Sequence, residues 1–435
     1  MNILCNKISV SEIISFSLFV CLTFIIPFNS FGSTLNQNIG IMLVVIAIVS
    51  NVTINAMQLV FFLPYVAATA FPIYGINIHI ITLLEIILFI KVFSIHSLEK
   101  KHVHIILGLI IYSLISILLC QAPIGGLIKY IFNILIFFAY IYILTKVRKT
   151  SNKNLIYLAY ALGVLSSCIA GKYYVRPLTD EVFDNTYSSW MRYSGLWTDP
   201  NFLGFFCLTG ILALFNLDTN KIEKVIILIM CVVIFYYGTL TMSRTYMVVG
   251  TILLGVYSFR SYKRTISSYI IGILILIVGV WALSNYYDYM QNNRVVANES
   301  VTNGRVDDTL NLLEVQSNDI CAIFGSGCDN YQYLYSLLQK QHKPRGAAHN
   351  SYIDIILQFG YVGSFIILLI VLYNQRRIKD MLKECLQVYG LPMLCILLYL
   401  GTLSALKYEF VFFIAGMFYS EYKKKTGSRR LMYKQ

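Results

Sequence analysis

Charge is what this sequence has least of. Charged residues fill 13% of its 435 positions and hydrophobic ones 57%, with a mean hydropathy of +0.68. A soluble domain carries roughly one-quarter charged residues, so that class is excluded and the chain reads as an integral membrane protein. Paired spacing is missing among the ten cysteines, which scatter mostly through apolar runs and so point to neither a zinc site nor a disulfide scaffold. No P-loop and no GxGxxG occurs, and no DxD-like pair stands near a nucleotide-binding pattern; nothing implies ATP, a sugar nucleotide or a bound metal. There is no internal repeat of the kind that marks inverted-repeat transporters. The first apolar run lacks a clear small-residue cleavage site and reads as a span rather than a leader. The basic excess, 34 Lys plus Arg against 21 acids, lies mostly in short loops where it orients a membrane protein, so nucleic acid is set aside as a partner.

What is present is a succession of apolar runs near the length of about 20 residues that crosses a bilayer. Fourteen can be drawn, near 10–28, 38–54, 56–75, 78–95, 104–121, 124–145, 154–174, 200–217, 223–241, 244–259, 266–286, 350–374, 388–404 and 406–421. The very short connections within 38–75 and 388–421 make twelve the alternative. With the N-terminus inside, Lys7, Lys91, Lys100, Lys101, Lys146, Arg148, Lys149, Lys153, Lys221, Lys224, Arg260, Lys263, Arg264, Arg376, Arg377, Lys379, Lys383 and the basic tail all fall on one side. The short opposite turns near 29–37, 76–77 and 122–123 contain no Lys or Arg, as the positive-inside rule requires, and both termini are expected in the cytoplasm. The rest of the chain is expected to be one polytopic domain, 1–435, with two longer outer loops at about 172–199 and 287–349. Loops of that length are usually functional. Within the second, Val306, Leu310 and Leu313, then Tyr331, Leu334 and Leu338, recur at helical spacing and predict two amphipathic helices on or near the membrane surface.

The outer basic residues are not explained by topology. Among them Arg192, Arg244, Arg305 and Arg345 are suited to phosphate, because a guanidinium gives bidentate and permanently charged hydrogen bonds. Three helix starts face the same side. "WTDPNFLGFF" sets Asp199 as N-cap and Pro200 at the first helical position; "TMSRTYMVVG" puts Ser243 and Arg244 at a start; "HNSYIDII" offers a capping-box variant, Ser351 with Asp354. Helix N-termini attract anions, and Arg244 at one of them is unfavourable without a negative ligand. Structural readings stand beside these. Arg244 can snorkel to headgroups; Arg192 and Arg305 can pair with Asp199, Asp307 or Asp308; His349 can be an ordinary polar loop residue. The glycines of "FGSGCDN" fit turns better than phosphate. Cys321 and Cys328 share the outer loop, where a disulfide is chemically allowed.

"RYSGLWTDPNFLG" (192–204), "TMSRT" (241–245), "NGRVDD" (303–308), "FGSG" (324–327) and "HNSYIDIILQFGYVG" (349–363), in this order, resemble the signature of the O-antigen ligase and polymerase superfamily. The resemblance covers roughly 175–365. It implies an all-α polytopic membrane protein of 12–14 transmembrane helices with a large, partly helical external loop, a GT-C-like glycosyltransferase of the cytoplasmic membrane with its site at the external, periplasmic face. It further implies no cofactor and no metal, and a glycan on undecaprenyl diphosphate as donor. Carried over, Arg305 and Arg244 grip the diphosphate and His349 assists the acceptor, with Arg192 in support and Asn350, Tyr352, Asn201 and Arg345 as substrate-binding positions. Trp190, Trp197, Tyr331 and Tyr333 are candidate faces for sugar rings. The implied partners are undecaprenyl-diphosphate-linked oligosaccharide as donor and acceptor, the lipid bilayer, a chain-length regulator and a flippase. No feature is assignable to lipid A recognition, which favours a polymerase of O-antigen or capsular repeat units over a ligase that transfers the glycan to lipid A core. A lipid-linked oligosaccharide flippase is the reading from another class. It is disfavoured because mid-span charges are few, mainly Glu85 and Lys129, whereas transporters gather ionisable groups at the midplane.

Overall fold

The computed structural model describes residues 10–26, 34–68, 80–94, 100–146, 153–173, 193–197, 199–217, 221–241, 243–261, 305–343, 349–373, 391–403 and 411–418, with scattered helical positions at 270, 273, 277, 281 and 284. The helices are α1 (Val10–Ile25), α2 (Thr34–Val49), α3 (Val52–Phe62) with a 3₁₀ continuation (Leu63–Ala68), α4 (Ile80–Phe93), α5 (Lys100–Cys120), α6 (Ile124–Lys146), α7 (Lys153–Tyr173), α8 (Pro200–Phe215), α9 (Lys221–Leu240) and α10 (Arg244–Ser261). They continue with α11 (Arg305–Ser317), the one-turn α12 (Cys321–Phe324), α13 (Tyr331–Lys340), α14 (Ser351–Tyr373) and α15 (Leu391–Leu400). Residues 411–418 are helical too, and no strand occurs among the described residues. His102–Cys120, Asn154–Lys172 and Ser351–Leu369 are long and apolar enough to cross a bilayer, and shorter apolar helices accompany them. This is a helical membrane protein by length and composition.

Chemistry moves two of the expected boundaries. The expected break between the second and third runs at 54–56 falls instead at Ser50 and Asn51, because the Asn51 side chain accepts from the Ile54 N–H at 2.9 Å and opens α3 as its N-cap. The end of α2 is held from α4: Lys91 Nζ donates toward the carbonyls of Ala47 (2.8 Å), Ile48 (2.8 Å) and Ser50 (2.5 Å) and toward Asn55 Oδ1 (2.9 Å). A cation there meets the negative end of the helix dipole, so Lys91 is a structural residue and not only an orienting charge.

The helices gather into two compact units. The first draws on α1–α4, the end of α6 from Ala139, and α7–α10. Its centre is α8, buried at every position from Asn201 to Leu214, as expected of a helix that is apolar all round. By contrast α9 leaves Val225, Ile226, Leu228, Ile229, Val232 and Phe235 exposed, the surface a lipid-facing helix presents.

The second unit draws on α5, α6 up to Phe138, α11–α15 and residues 411–418. Helices are present over both stretches as α11 and α13, and Leu334 and Leu338 of the expected α13 face join Cys120, Leu312, Val315, Cys321, Leu337 and Leu357 in one core, but α11 turns Leu312 and Val315 inward and leaves Val306 and Leu310 of its expected face exposed. The long helix α14 is interrupted at Gly360, whose φ of 62° and ψ of −170° leave the helical region. The carbonyls released there find partners in the segment that holds "FGSG", on α11 and on α5. Leu357 O accepts from Ser326 N (2.9 Å) and Gln316 Nε2 (2.8 Å), Gln358 O from Gly327 N (3.1 Å), and Phe359 O from Tyr112 Oη (2.5 Å). A carbonyl left bare in apolar surroundings costs about 2–7 kcal/mol, which is why the break comes with its own set of donors. The FGSG glycines do form turns, as expected, but the turns serve a span thirty residues further along the chain.

Candidate functional site

In the first unit, two of the motifs that carry the resemblance converge. Asp199 caps α8: its carboxylate accepts from the Asn201 N–H and from Asn201 Nδ2, both at 2.8 Å, and Pro200 occupies the first turn. Ser243 caps α10, its hydroxyl oxygen accepting from the Tyr246 N–H at 3.3 Å while its carbonyl takes the Met247 N–H at 3.1 Å. The same hydroxyl donates to Asn201 Oδ1 at 2.6 Å. Asn201 and Ser243 are both buried, so one side-chain bond ties the two helix starts together. Arg244, the first residue of α10, is partly exposed beside this bond. The α10 start and its guanidinium favour an anion, whereas the α8 start already has the Asp199 carboxylate on it. Removing the hydroxyl with Ser243→Ala takes away the cap and strands the Asn201 acceptor, and the expected loss is about 1–2 kcal/mol. A fall in the thermal midpoint of detergent-solubilised protein measures it, with Ser243→Thr close to the parent; an unchanged midpoint for the alanine variant would show that the bond carries nothing.

The wall behind this feature is aromatic. Trp197 donates its indole N–H to Pro64 O at 2.9 Å and tilts against Phe202 and Phe206, with ring centroids 5.3 and 5.2 Å away. It is 3% exposed, so Trp197 is not the sugar platform expected of it; it packs the base of α8. Tyr193 binds the same region, its N–H reaching Leu240 O at 3.0 Å and its hydroxyl reaching Cys168 O. Arg192, Trp190 and Arg345 lie outside the described residues.

In the second unit the head of α14 holds His349, Asn350, Ser351 and Tyr352. The cap is Asn350, whose Oδ1 accepts from the N–H groups of Tyr352 (2.9 Å) and Ile353 (3.3 Å). The expected Ser351/Asp354 capping box is therefore not made. Ser351 Oγ is taken by Leu403 O at 2.5 Å, and Asp354 accepts instead from the Tyr331 hydroxyl. Asn350 thus has a local structural duty, while Tyr352 is exposed and donates its hydroxyl to Leu397 O at 2.8 Å. His349 is partly exposed and adopts φ 47°. A non-glycine residue in the left-handed region is uncommon and costs on the order of 1–2 kcal/mol, and such strain collects at functional positions. Arg305 is the first residue of α11.

Several residues expected in other roles make polar contacts close by. Asp354 is buried, and its partner Tyr331 is held protonated, first by burial and then by the Asp354 charge. Lys129 and Asp329 approach to 4.0 Å. Tyr333 donates to Asp319 at 3.0 Å; burial alone would raise the Asp319 carboxyl, but the Cys321 N–H, this hydroxyl and the Lys340 charge together hold it below the ordinary range. With their hydroxyls so engaged, Tyr333 ties α13 to the turn before α12 and Tyr331 ties α13 to α14. Cys321 and Cys328 are free thiols: Cys321 sits beside Cys120, and Cys328 Sγ is 3.7 Å from Ser113 Oγ, so the allowed disulfide is not formed. Among the described residues no group of three or more His, Cys, Asp or Glu is placed to hold a metal ion. No protein-family model matches the sequence, and no curated protein matches it.

Proposed function

We propose that this chain is a polysaccharide polymerase, which joins undecaprenyl-diphosphate-linked repeat units of an O-antigen or capsule by metal-independent glycosyl transfer at the external face of the cytoplasmic membrane. The observation that carries the reading is the Asn201–Ser243 bond, because it holds the start of α10 and its Arg244 against the capped head of α8. The reading takes the chain as a GT-C-like protein of fourteen spans, or twelve, with both termini in the cytoplasm.

Attack of an acceptor hydroxyl at the donor's anomeric carbon breaks the bond to the diphosphate, and undecaprenyl diphosphate leaves with growing negative charge. Fixed positive groups stabilise that charge in place of a metal. Arg244, at the start of α10, is suited to this in the first unit. The resemblance assigns Arg305 to the same charge. It assigns His349 to the acceptor, and a group with an unperturbed pKa of about 6.5 is suited to accept the hydroxyl proton near neutral pH.

The test is to incubate purified protein with undecaprenyl-diphosphate oligosaccharide and nothing else. Growth of a lipid-linked polymer is the expected result. Transfer that appears only after lipid A core is added would replace the polymerase with a ligase. Movement of the intact lipid-linked oligosaccharide across a vesicle membrane, without new glycosidic bonds, would replace both with a flippase.

A further inference from the structure

Between α8, α9 and α10 of the first unit lies a cavity of about 190 Å³, lined by apolar and aromatic side chains of all three helices. Leu208 and Leu212 of α8, Cys231 of α9 and Leu253 of α10 form its buried floor. Aromatic pairs stand at its ends. At one, Phe215 stacks on Tyr257 with ring centroids 4.6 Å apart; at the other, Tyr246 tilts against Phe235 at 6.1 Å and donates its hydroxyl to Phe235 O at 3.2 Å.

The opening is on the lipid-facing side of α9. Val232 and Phe235 line the cavity and are 60% and 42% exposed, and they continue the exposed apolar face of Val225, Leu228 and Ile229 on the same helix. A cavity of about 150 Å³ with walls of this kind stays dry and takes an apolar guest. Beside a lipid-facing helix the guest at hand is a hydrocarbon chain.

Charge says which lipid brings it. Residues 241–243 join α9 to α10, so the start of one and the end of the other share one end of an antiparallel pair. Lys221 and Lys224 stand in the first turn of α9 and Arg260 in the last turn of α10, against Glu223. The start of α9 is also the positive end of a helix dipole, and basic positions of this kind between spans bind anionic headgroups. From Lys224 to Val232 is eight residues, about 12 Å along α9. One leaflet supplies half of a hydrocarbon core about 30 Å thick, so a chain hung from a headgroup at that end reaches the opening.

We propose that the cavity binds one acyl chain of an anionic glycerophospholipid, whose phosphate lies at the start of α9 and the end of α10 while the chain follows Val225, Leu228 and Ile229 to enter at Val232. The headgroup end is about 24 Å along α10 from Arg244, so the site does not rest on the role given to that residue.

The test uses the full chain in phosphatidylethanolamine nanodiscs with a trace of photoactivatable lipid, either phosphatidylglycerol or phosphatidylethanolamine with a diazirine in one acyl chain, and maps the labelled residues by mass spectrometry. The phosphatidylglycerol probe is expected to label the cavity floor at Leu212 and Leu253 roughly tenfold more than the other probe does. Val232→Trp, at an exposed position that takes a larger side chain without disturbing the packing, should reduce that labelling to background. So should Gly250→Leu, whose Cβ meets nothing closer than Leu208 Cδ2 at 3.4 Å. Lys221→Gln together with Lys224→Gln should bring the two probes level. Equal labelling by both probes in the parent would overturn the proposal by showing an unselective bilayer contact, and label missing from Leu212 and Leu253 would show that the cavity holds no lipid chain. Loss of the label on adding undecaprenyl diphosphate, with the same amount of unlabelled phosphatidylglycerol without effect, would reassign the cavity to the lipid-linked substrate.

Discussion

His349→Asn is expected to abolish glycan transfer while the protein stays folded in the membrane. Asparagine is the substitution to use because His349 sits at φ 47°, where most side chains are penalised and asparagine is among the best tolerated after glycine. The backbone that leads into the Asn350 cap is thereby preserved. On the proposed reading what is lost is the group that assists the acceptor, and general-base catalysis contributes roughly 10²–10⁴-fold. Polymer from cells expressing the variant should fall below detection, with membrane abundance and thermal midpoint near those of the parent. His349→Gly separates strain from chemistry. It relieves the left-handed cost and should raise stability by about 1 kcal/mol, yet remain inactive. Full-length polymer from either variant would reduce His349 to a loop residue.

Legibility in the sequence followed the range of the interaction. The starts of α8 and α10 were readable because their signals are local: Asp199 and Pro200 act on the next two residues, and Ser243 caps the helix that Arg244 opens. Two helices in the 287–349 segment were readable from apolar spacing, whereas α12 is one turn long and has no period to detect. The cap of α14 was misread for a different reason. Asn350, Ser351 and Asp354 all fit cap positions, and distant groups decided the matter: Leu403 O claims Ser351 and Tyr331 claims Asp354. Trp197 shows the same limit, since an indole in a polar stretch suits a sugar as well as a core, and the Pro64 carbonyl that fixes it lies 133 residues away. The Asn201–Ser243 bond spans 42 residues. Asn201 was readable as a candidate from its motif, but its partner was not.

Gly360→Ala is expected to destabilise the second unit more than any core truncation of similar size. Two costs add. Gly360 and Gly325 hold φ of 62° and 82°, so a side chain at either position carries a backbone penalty on the order of 1–2 kcal/mol. The new Cβ also collides with main chain and not with a side chain that can turn away: at Gly360 it would meet Ile323 O at 2.5 Å, and at Gly325 the Phe359 nitrogen at 2.5 Å. Relief requires the two backbones to separate, and that breaks the bonds by which Ser326 and Gly327 satisfy Leu357 and Gln358. With those carbonyls bare in apolar surroundings, a total loss on the order of 3–5 kcal/mol follows, a large share of the roughly 5–15 kcal/mol that holds an ordinary protein folded. Fluorescence-detected size exclusion after a heat ramp should show Gly360→Ala and Gly325→Ala each losing the monodisperse peak at markedly lower temperature than the parent. Gly108→Ala is the control, because no heavy atom lies within 4 Å of its would-be Cβ, and in the middle of α5 alanine should be neutral or slightly stabilising. If both clamp variants melt with the control, the break in α14 does not depend on backbone contact between Gly325 and Gly360.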